Sequence, residues 1–160
     1  LQRNCLTYLP NIFGELVSLR ELNLKSNRLR SLPESIGRLS ALKVLDPTFN
    51  NLASLPDTIG QLSSLEKLNV SNNSKLLSLP DSIGQLSSLQ TLTLNYNSLT
   101  SLPEDIGMLS SLKILDLMYN HQLNSLPESI GQLSSLQELH LYGNHVASLP
   151  QSIGKLSALK

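Results

Sequence analysis

Side chains able to do chemistry are few in this chain of 160 residues, and their spacing decides what they could do. His121 and His145 stand 24 residues apart, with His140 between them, and two or three imidazoles brought together could hold a zinc ion. No carboxylate is spaced to orient them, so the pattern assigns no metal and no cofactor. Cys5 is a lone thiol with no His near it in sequence, and Ser, although abundant, never falls into a Ser/His/Asp grouping that would activate a hydroxyl. Each Gly stands alone, which excludes a Gly-rich phosphate cradle. The sequons Asn69-Val-Ser71 and Asn72-Asn-Ser74 read as chance matches, because a glycan there would sit on the surface best placed to bind a partner. No catalytic residue is assigned, and the chain reads as non-enzymatic. Binding chemistry is better represented: of six aromatic residues, Phe49, Tyr96, Tyr119 and Tyr142 recur at nearly the same point of a regular beat.

Composition narrows the classes further. Twelve basic residues balance twelve acidic ones, which removes the cationic excess that nucleic-acid binding usually demands. No apolar run approaches the roughly 20 residues needed to cross a bilayer, and no charged-then-apolar leader opens the chain. Neither a small-molecule pocket nor a compartment is legible. Leu and Ser, with 39 and 25 copies, dominate, and such bias calls for a search for internal repeats.

The repeats are plain. Pro recurs at Pro10, Pro33, Pro56, Pro80, Pro103, Pro127 and Pro150, every 23 or 24 residues, each followed four residues later by Gly. Asn keeps the same period at Asn4, Asn27, Asn50, Asn73, Asn97, Asn120 and Asn144. Residues 19–39 read LxxLxLxxNxLxxLPxxIGxL, and SLPDSIGQLSSL (78–89) differs from SLPESIGQLSSL (125–136) at one position. Alternating Leu22-Asn23-Leu24 has the period of a short strand. Such a strand cannot stand alone, so copies must stack in parallel about 4.8 Å apart and pool their Leu side chains in one core. The Asn after each strand is read as a buried ladder bonding turn backbone. Ser31-x-Pro33-Glu34 and its equivalents predict a capped helical piece of one or two turns, possibly 3₁₀, closed off by Gly37.

On these residues the chain resembles a leucine-rich repeat protein, of the 23-residue LPxxIGxLxxL subtype seen in Ras-group plant and animal repeats and in bacterial effectors. The resemblance covers the whole chain. It implies an α/β solenoid curved into a horseshoe, with a parallel sheet on the concave face and short helical turns on the convex one. Residues 1–160 form a single domain of six complete repeats with partial repeats at both ends, expected to be a fragment of a longer chain. It further implies protein binding by the concave sheet, with signalling and effector roles as the settings the family suggests. The alternative is the substrate-recognition part of a larger enzyme such as a secreted effector, whose catalytic domain would lie elsewhere.

Only outward strand positions are free to store information. Four rows run across the expected sheet: from Glu21 to Glu138, from Asn23 to His140, from Lys25 to Tyr142, and from Ser26 to Gly143 at the edge. The aromatic residues fall in the last two rows, where they either cover the Asn ladder or form a binding patch; the patch is the reading adopted. The candidate partner-binding residues are Phe49, Tyr96, Ile114, Asp116, Met118, Tyr119, Glu138, His140 and Tyr142. Charge is uneven: residues 1–45 carry a net +4 and residues 46–160 a net −4. Pro47 takes a core position held elsewhere by Leu or Val and predicts a weakened rung at residues 44–48, while Phe13 replaces the usual Ile. Extra residues after Asn73 and Asn120 lengthen two turns.

Overall fold

The computed structural model describes all residues 1–160. Six three-residue strands, β1 (Glu21–Asn23), β2 (Val44–Asp46), β3 (Lys67–Asn69), β4 (Thr91–Thr93), β5 (Ile114–Asp116) and β6 (Glu138–His140), form one parallel sheet in chain order. Register is set by the inward Leu of each strand, so Leu22, Leu45, Leu68, Leu92, Leu115 and Leu139 face one another across the ladder. The return path of each repeat holds a five-residue 3₁₀ turn, seven in all, from Asn11–Glu15 to Gln151–Lys155. Sheet and turns lie on opposite faces of a core of 36 buried apolar residues, against which Phe13 packs partly buried.

Pro47 weakens its rung as its chemistry dictates. Elsewhere the residue after the strand donates across to the next strand, as in Leu24 N–H to Asp46 C=O at 2.8 Å and Val70 N–H to Thr93 C=O at 2.8 Å. Pro47 has no N–H to give, and the β2–β3 ladder has two residue pairs where its neighbours have three.

The Asn ladder is continuous. Asn73, fully buried, donates Nδ2 to Val70 C=O (3.0 Å) and Pro47 C=O (3.2 Å), and its Oδ1 accepts Leu52 N–H (3.0 Å). Asn50, Asn97 and Asn120 bond in the same way. Where a turn carries an extra residue, the donor to the next Asn shifts to the ladder residue itself: Asn73 N–H meets Asn97 Oδ1, and Asn120 N–H meets Asn144 Oδ1. The longer turns are thereby absorbed without breaking the stack.

Two details of the helical turns differ from the sequence reading. The capping box does not form: Pro33 and its equivalents are the N-caps, extended at φ −69° and ψ 150°, and no side chain caps any of the turns. Because the turn begins at Glu34, Ser31 stands too far upstream to reach its N–H groups. The acidic residue instead works between repeats. Glu128 accepts N–H bonds from Gln151 (3.2 Å) and Ser152 (3.1 Å) of the next turn, and hydrogen bonding from Ser152 and then Gln151 holds its carboxyl below the ordinary carboxylate value. Gly37 does not end the helical piece either; it lies inside it. A Cβ there would stand 2.5 Å from the Thr58 carbonyl oxygen, so Gly is required where consecutive turns touch backbone to backbone.

Candidate protein-binding face

Several outward residues of the rungs are held by local hydrogen bonding. In the second row, Asn23, Asp46, Asn69 and Asp116 turn Oδ1 back onto the N–H two residues on, at 3.0–3.1 Å, which fixes the chain as it leaves the strand. Asp116 Oδ2 also accepts Asn95 Nδ2 at 2.9 Å. Glu138 Oε2 lies 3.1 Å from His140 Nε2. These groups are therefore fixed in place, yet each carboxylate keeps lone pairs for a further donor.

The fourth row is a column of left-handed backbone. Ser26, Phe49, Asn72, Tyr96 and Tyr119 have φ between 55° and 57°, and Gly143 has φ 78°. Asn and Gly suit such a turn, whereas a bulky aromatic there is an outlier costing about 1–2 kcal/mol in backbone strain. Three aromatic side chains are thus maintained where Gly would be cheaper. Asn72 and Gly143 are the only signals of that column in the sequence, since the aromatic residues in the same row do not favour positive φ.

Phe49, Tyr96 and Tyr142 are 50%, 49% and 70% exposed, and Tyr119 is half-buried between its neighbours. Tyr96 stacks on Tyr119 with centroids 4.4 Å apart and planes 15° from parallel. Tyr142 meets the other side of Tyr119 edge-on, at 5.3 Å and 82°. Both are favourable aromatic geometries. Space for them comes from Gly143: a Cβ on that residue would lie 2.7 Å from Tyr119 Cδ1. Loss of hydration, with Tyr96 and Tyr142 adjacent, raises the Tyr119 phenol above its ordinary value.

The remaining candidates divide. Ile114, Asp116 and Met118 are half-buried on the same strand and its exit as Tyr119, and Glu138 and His140 flank them on β6. Phe49 does not join the cluster. It lies two rungs before Tyr96, with Asn72 intervening, and pairs with Lys25, whose Nζ sits 5.6 Å from the ring centroid. His121 and His145 are neighbours at 6.3 Å between ring centres, but His145 Nδ1 is turned onto the His121 backbone carbonyl, and no group of three or more potential ligands gathers anywhere. No helix is long and apolar enough to cross a membrane.

An open parallel sheet of repeated short strands backed by 3₁₀ turns and threaded by an Asn ladder defines a leucine-rich repeat solenoid. Consistent with this, the leucine-rich repeat region family matches residues 3–96 and 92–160, and the chain belongs to that family. Among solved structures it is similar to a leucine-rich repeat protein of Leptospira interrogans, with 36% identity and a TM-score of 0.66, over 98% of this chain and 45% of that one. It is also similar to the plant peptide hormone receptor RGFR1 in complex with RGF2, with 29% identity and a TM-score of 0.77, over 96% of this chain and 29% of the receptor. The leucine-rich repeat domain of the type III effector XopL shares the fold at 22% identity and a TM-score of 0.57, over 99% of this chain and 72% of that one. The chain therefore spans less than half the length of the first two. No curated protein sequence matches it. The fold is one that binds proteins.

Proposed function

We propose that this chain is a protein-interaction module that recognises a partner protein through the sheet face of β4–β6. One observation carries the reading: exposed Tyr96 and Tyr142 pack in order against half-buried Tyr119, and two of the three, Tyr96 and Tyr119, stand on left-handed backbone that favours Gly. Strained bulky residues persist where function holds them against a stability cost, and exposed Tyr clusters are the usual anchors of interfaces. Ile114, Asp116, Met118, Glu138 and His140 surround the anchors, and Phe49 with Lys25 forms a second, separate contact station. Six strands spaced about 4.8 Å apart give a face that accommodates a standard interface of about 800 Å² per partner. The plant peptide hormone receptor RGFR1, of similar structure, is seen in complex with RGF2, which supports a polypeptide ligand for this face too.

Affinity capture from lysate with the wild type and with Tyr96/Tyr119/Tyr142→Ala tests the reading. A protein retained by the wild type and lost by the variant, with far-UV circular dichroism unchanged, is expected. If both retain the same proteins, the cluster is not the binding site.

A further inference from the structure

Between the left-handed column and the Pro that precedes each 3₁₀ turn, the chain runs down one flank of the solenoid, over residues 26–32, 49–55, 72–79, 96–102, 119–126 and 143–149. These stretches contain no Asp or Glu. Of the twelve carboxylates, seven stand on the 3₁₀ turns, four on the strands, and Glu66 just before β3. Cations are not kept out in the same way: Arg28, Arg30 and Lys75 are exposed on the flank, as is Arg3 in the equivalent stretch before β1. Lys25 joins them from the sheet edge, where it lies over Phe49.

Backbone bonding brings these charges together. Arg3 N–H donates to Lys25 C=O at 2.7 Å and Arg28 N–H to Leu6 C=O at 2.8 Å, so the first two copies of the flank lie side by side. No carboxylate of the chain answers Arg3, Lys25, Arg28 or Arg30, since the one Lys or Arg ion pair, Lys43–Glu66, lies where the chain enters the strands on the other flank. Like charges gathered within two repeats repel one another, and a bound anion relieves that repulsion. Lys75 extends the row two repeats beyond Arg28, about 10 Å at strand spacing.

An acidic polypeptide suits this row better than a nucleic acid does. The cations are few and are interrupted at uncharged Asn51 and Ala53, and the adjoining 3₁₀ turns carry carboxylates that would repel a long phosphate backbone. From Arg3 to Lys75 the row covers about 14 Å, which about five residues of extended peptide span. The Arg28 and Arg30 guanidinium forks match the carboxylates such a peptide presents.

We infer that this flank binds a short acidic segment of a partner polypeptide, with Arg28 and Arg30 as the main contacts and Arg3, Lys25 and Lys75 along its length. The surface is separate from the tyrosine cluster, and the inference holds or fails independently of that face.

The test titrates the isotope-labelled chain in low salt with an acetylated, amidated Gly-Glu-Asp-Glu-Asp-Glu-Gly peptide, its neutral Gln/Asn counterpart, and an oligothymidylate of equal charge, while backbone amide resonances are followed by NMR. Saturable shifts over residues 26–32 and at Lys75 are expected with the acidic peptide, with the neutral peptide and the oligonucleotide each binding about tenfold or more weakly and added salt weakening the acidic peptide itself. Arg28/Arg30→Gln should weaken the acidic peptide about tenfold or more. Arg38/Lys155→Gln, which removes the same charge from the 3₁₀ turns, should weaken it less than about twofold. An undisturbed amide pattern over β4–β6 reports that each variant is folded. Equal losses in the two double variants, equal binding of the neutral peptide, equal or tighter binding of the oligonucleotide, or no saturable shift on the flank overturns the inference. Should that happen while Tyr96/Tyr119/Tyr142→Ala still loses its captured protein, the flank assignment fails and the protein-binding face stands.

Discussion

Replacing Tyr96 in two ways separates what its backbone costs from what its ring does. In ordinary helix or strand interiors Gly is less stable than Ala by roughly 0.5–1 kcal/mol. At φ 56° the order should invert. Tyr96→Ala removes the stacking on Tyr119, worth about 0.5–1.5 kcal/mol, and the half of the ring that is covered, but keeps a Cβ in the left-handed region. Tyr96→Gly removes the same contacts and relieves about 1–2 kcal/mol of strain. The Gly variant should therefore be the more stable of the two by about 1 kcal/mol, while both bind partner equally poorly. Urea unfolding with matched m-values measures the difference. If Tyr96→Ala proves as stable as Tyr96→Gly, the left-handed column carries no strain and the argument that function holds these rings in place collapses.

Other consequences are independent of the site. Gly107→Ala drives a Cβ to 2.5 Å from the Ser129 carbonyl oxygen and should cost about 1–3 kcal/mol, whereas Gly154→Ala meets nothing within 4 Å and should be neutral or stabilising by up to about 1 kcal/mol; equal effects in thermal unfolding would show that backbone contact between turns is not what selects Gly. Asn73→Ala leaves the buried Leu52 N–H without its partner and takes one of two donors from the Val70 and Pro47 carbonyls, which keep Asn97 and Asn50, and should destabilise by roughly 1–3 kcal/mol, with amide exchange accelerating first at Leu52. The Glu128 carboxyl is held below its ordinary value of 4.5, so its contribution is complete above that pH and is lost as pH falls through the lowered folded value; Glu128→Gln should flatten the acid limb of the stability curve, leaving the variant slightly less stable than the wild type at neutral pH and converging with it in acid.

Much of this architecture could be read from spacing alone, for a physical reason. A stacked repeat must satisfy the same burial and hydrogen-bonding demands at every copy, so Leu22 and its equivalents, the buried Asn residues and the faulty rung at Pro47 announce themselves by recurrence or by breaking it. Interactions between copies are less visible. The Glu128 bond to the next turn and the close approach at Gly37 mimic familiar single-helix signals, a capping box and a terminating Gly, and only the packing of one turn on the next tells them apart. The candidate site was legible as rows and as a patch around Tyr119 and Tyr142, but not in how its rings stack. Row position brought Tyr96, Tyr119 and Tyr142 together, yet it grouped Phe49 with them too, because the intervening Asn72 and the pairing with Lys25 depend on geometry that a row does not encode.

Pro47 has a consequence beyond its missing bond. In a one-dimensional array each repeat leans only on its neighbours, so the weakest junction sets where the array divides into separately melting blocks. Here that junction falls between β2 and β3, and it nearly coincides with residue 46, where net charge changes from +4 to −4. The chain is thus hinged, energetically, into a basic block and an acidic block. All three clustered tyrosines lie in the second, behind three fully paired junctions up to β6. Thermal or mechanical stress should open the basic block first and leave the aromatic face assembled.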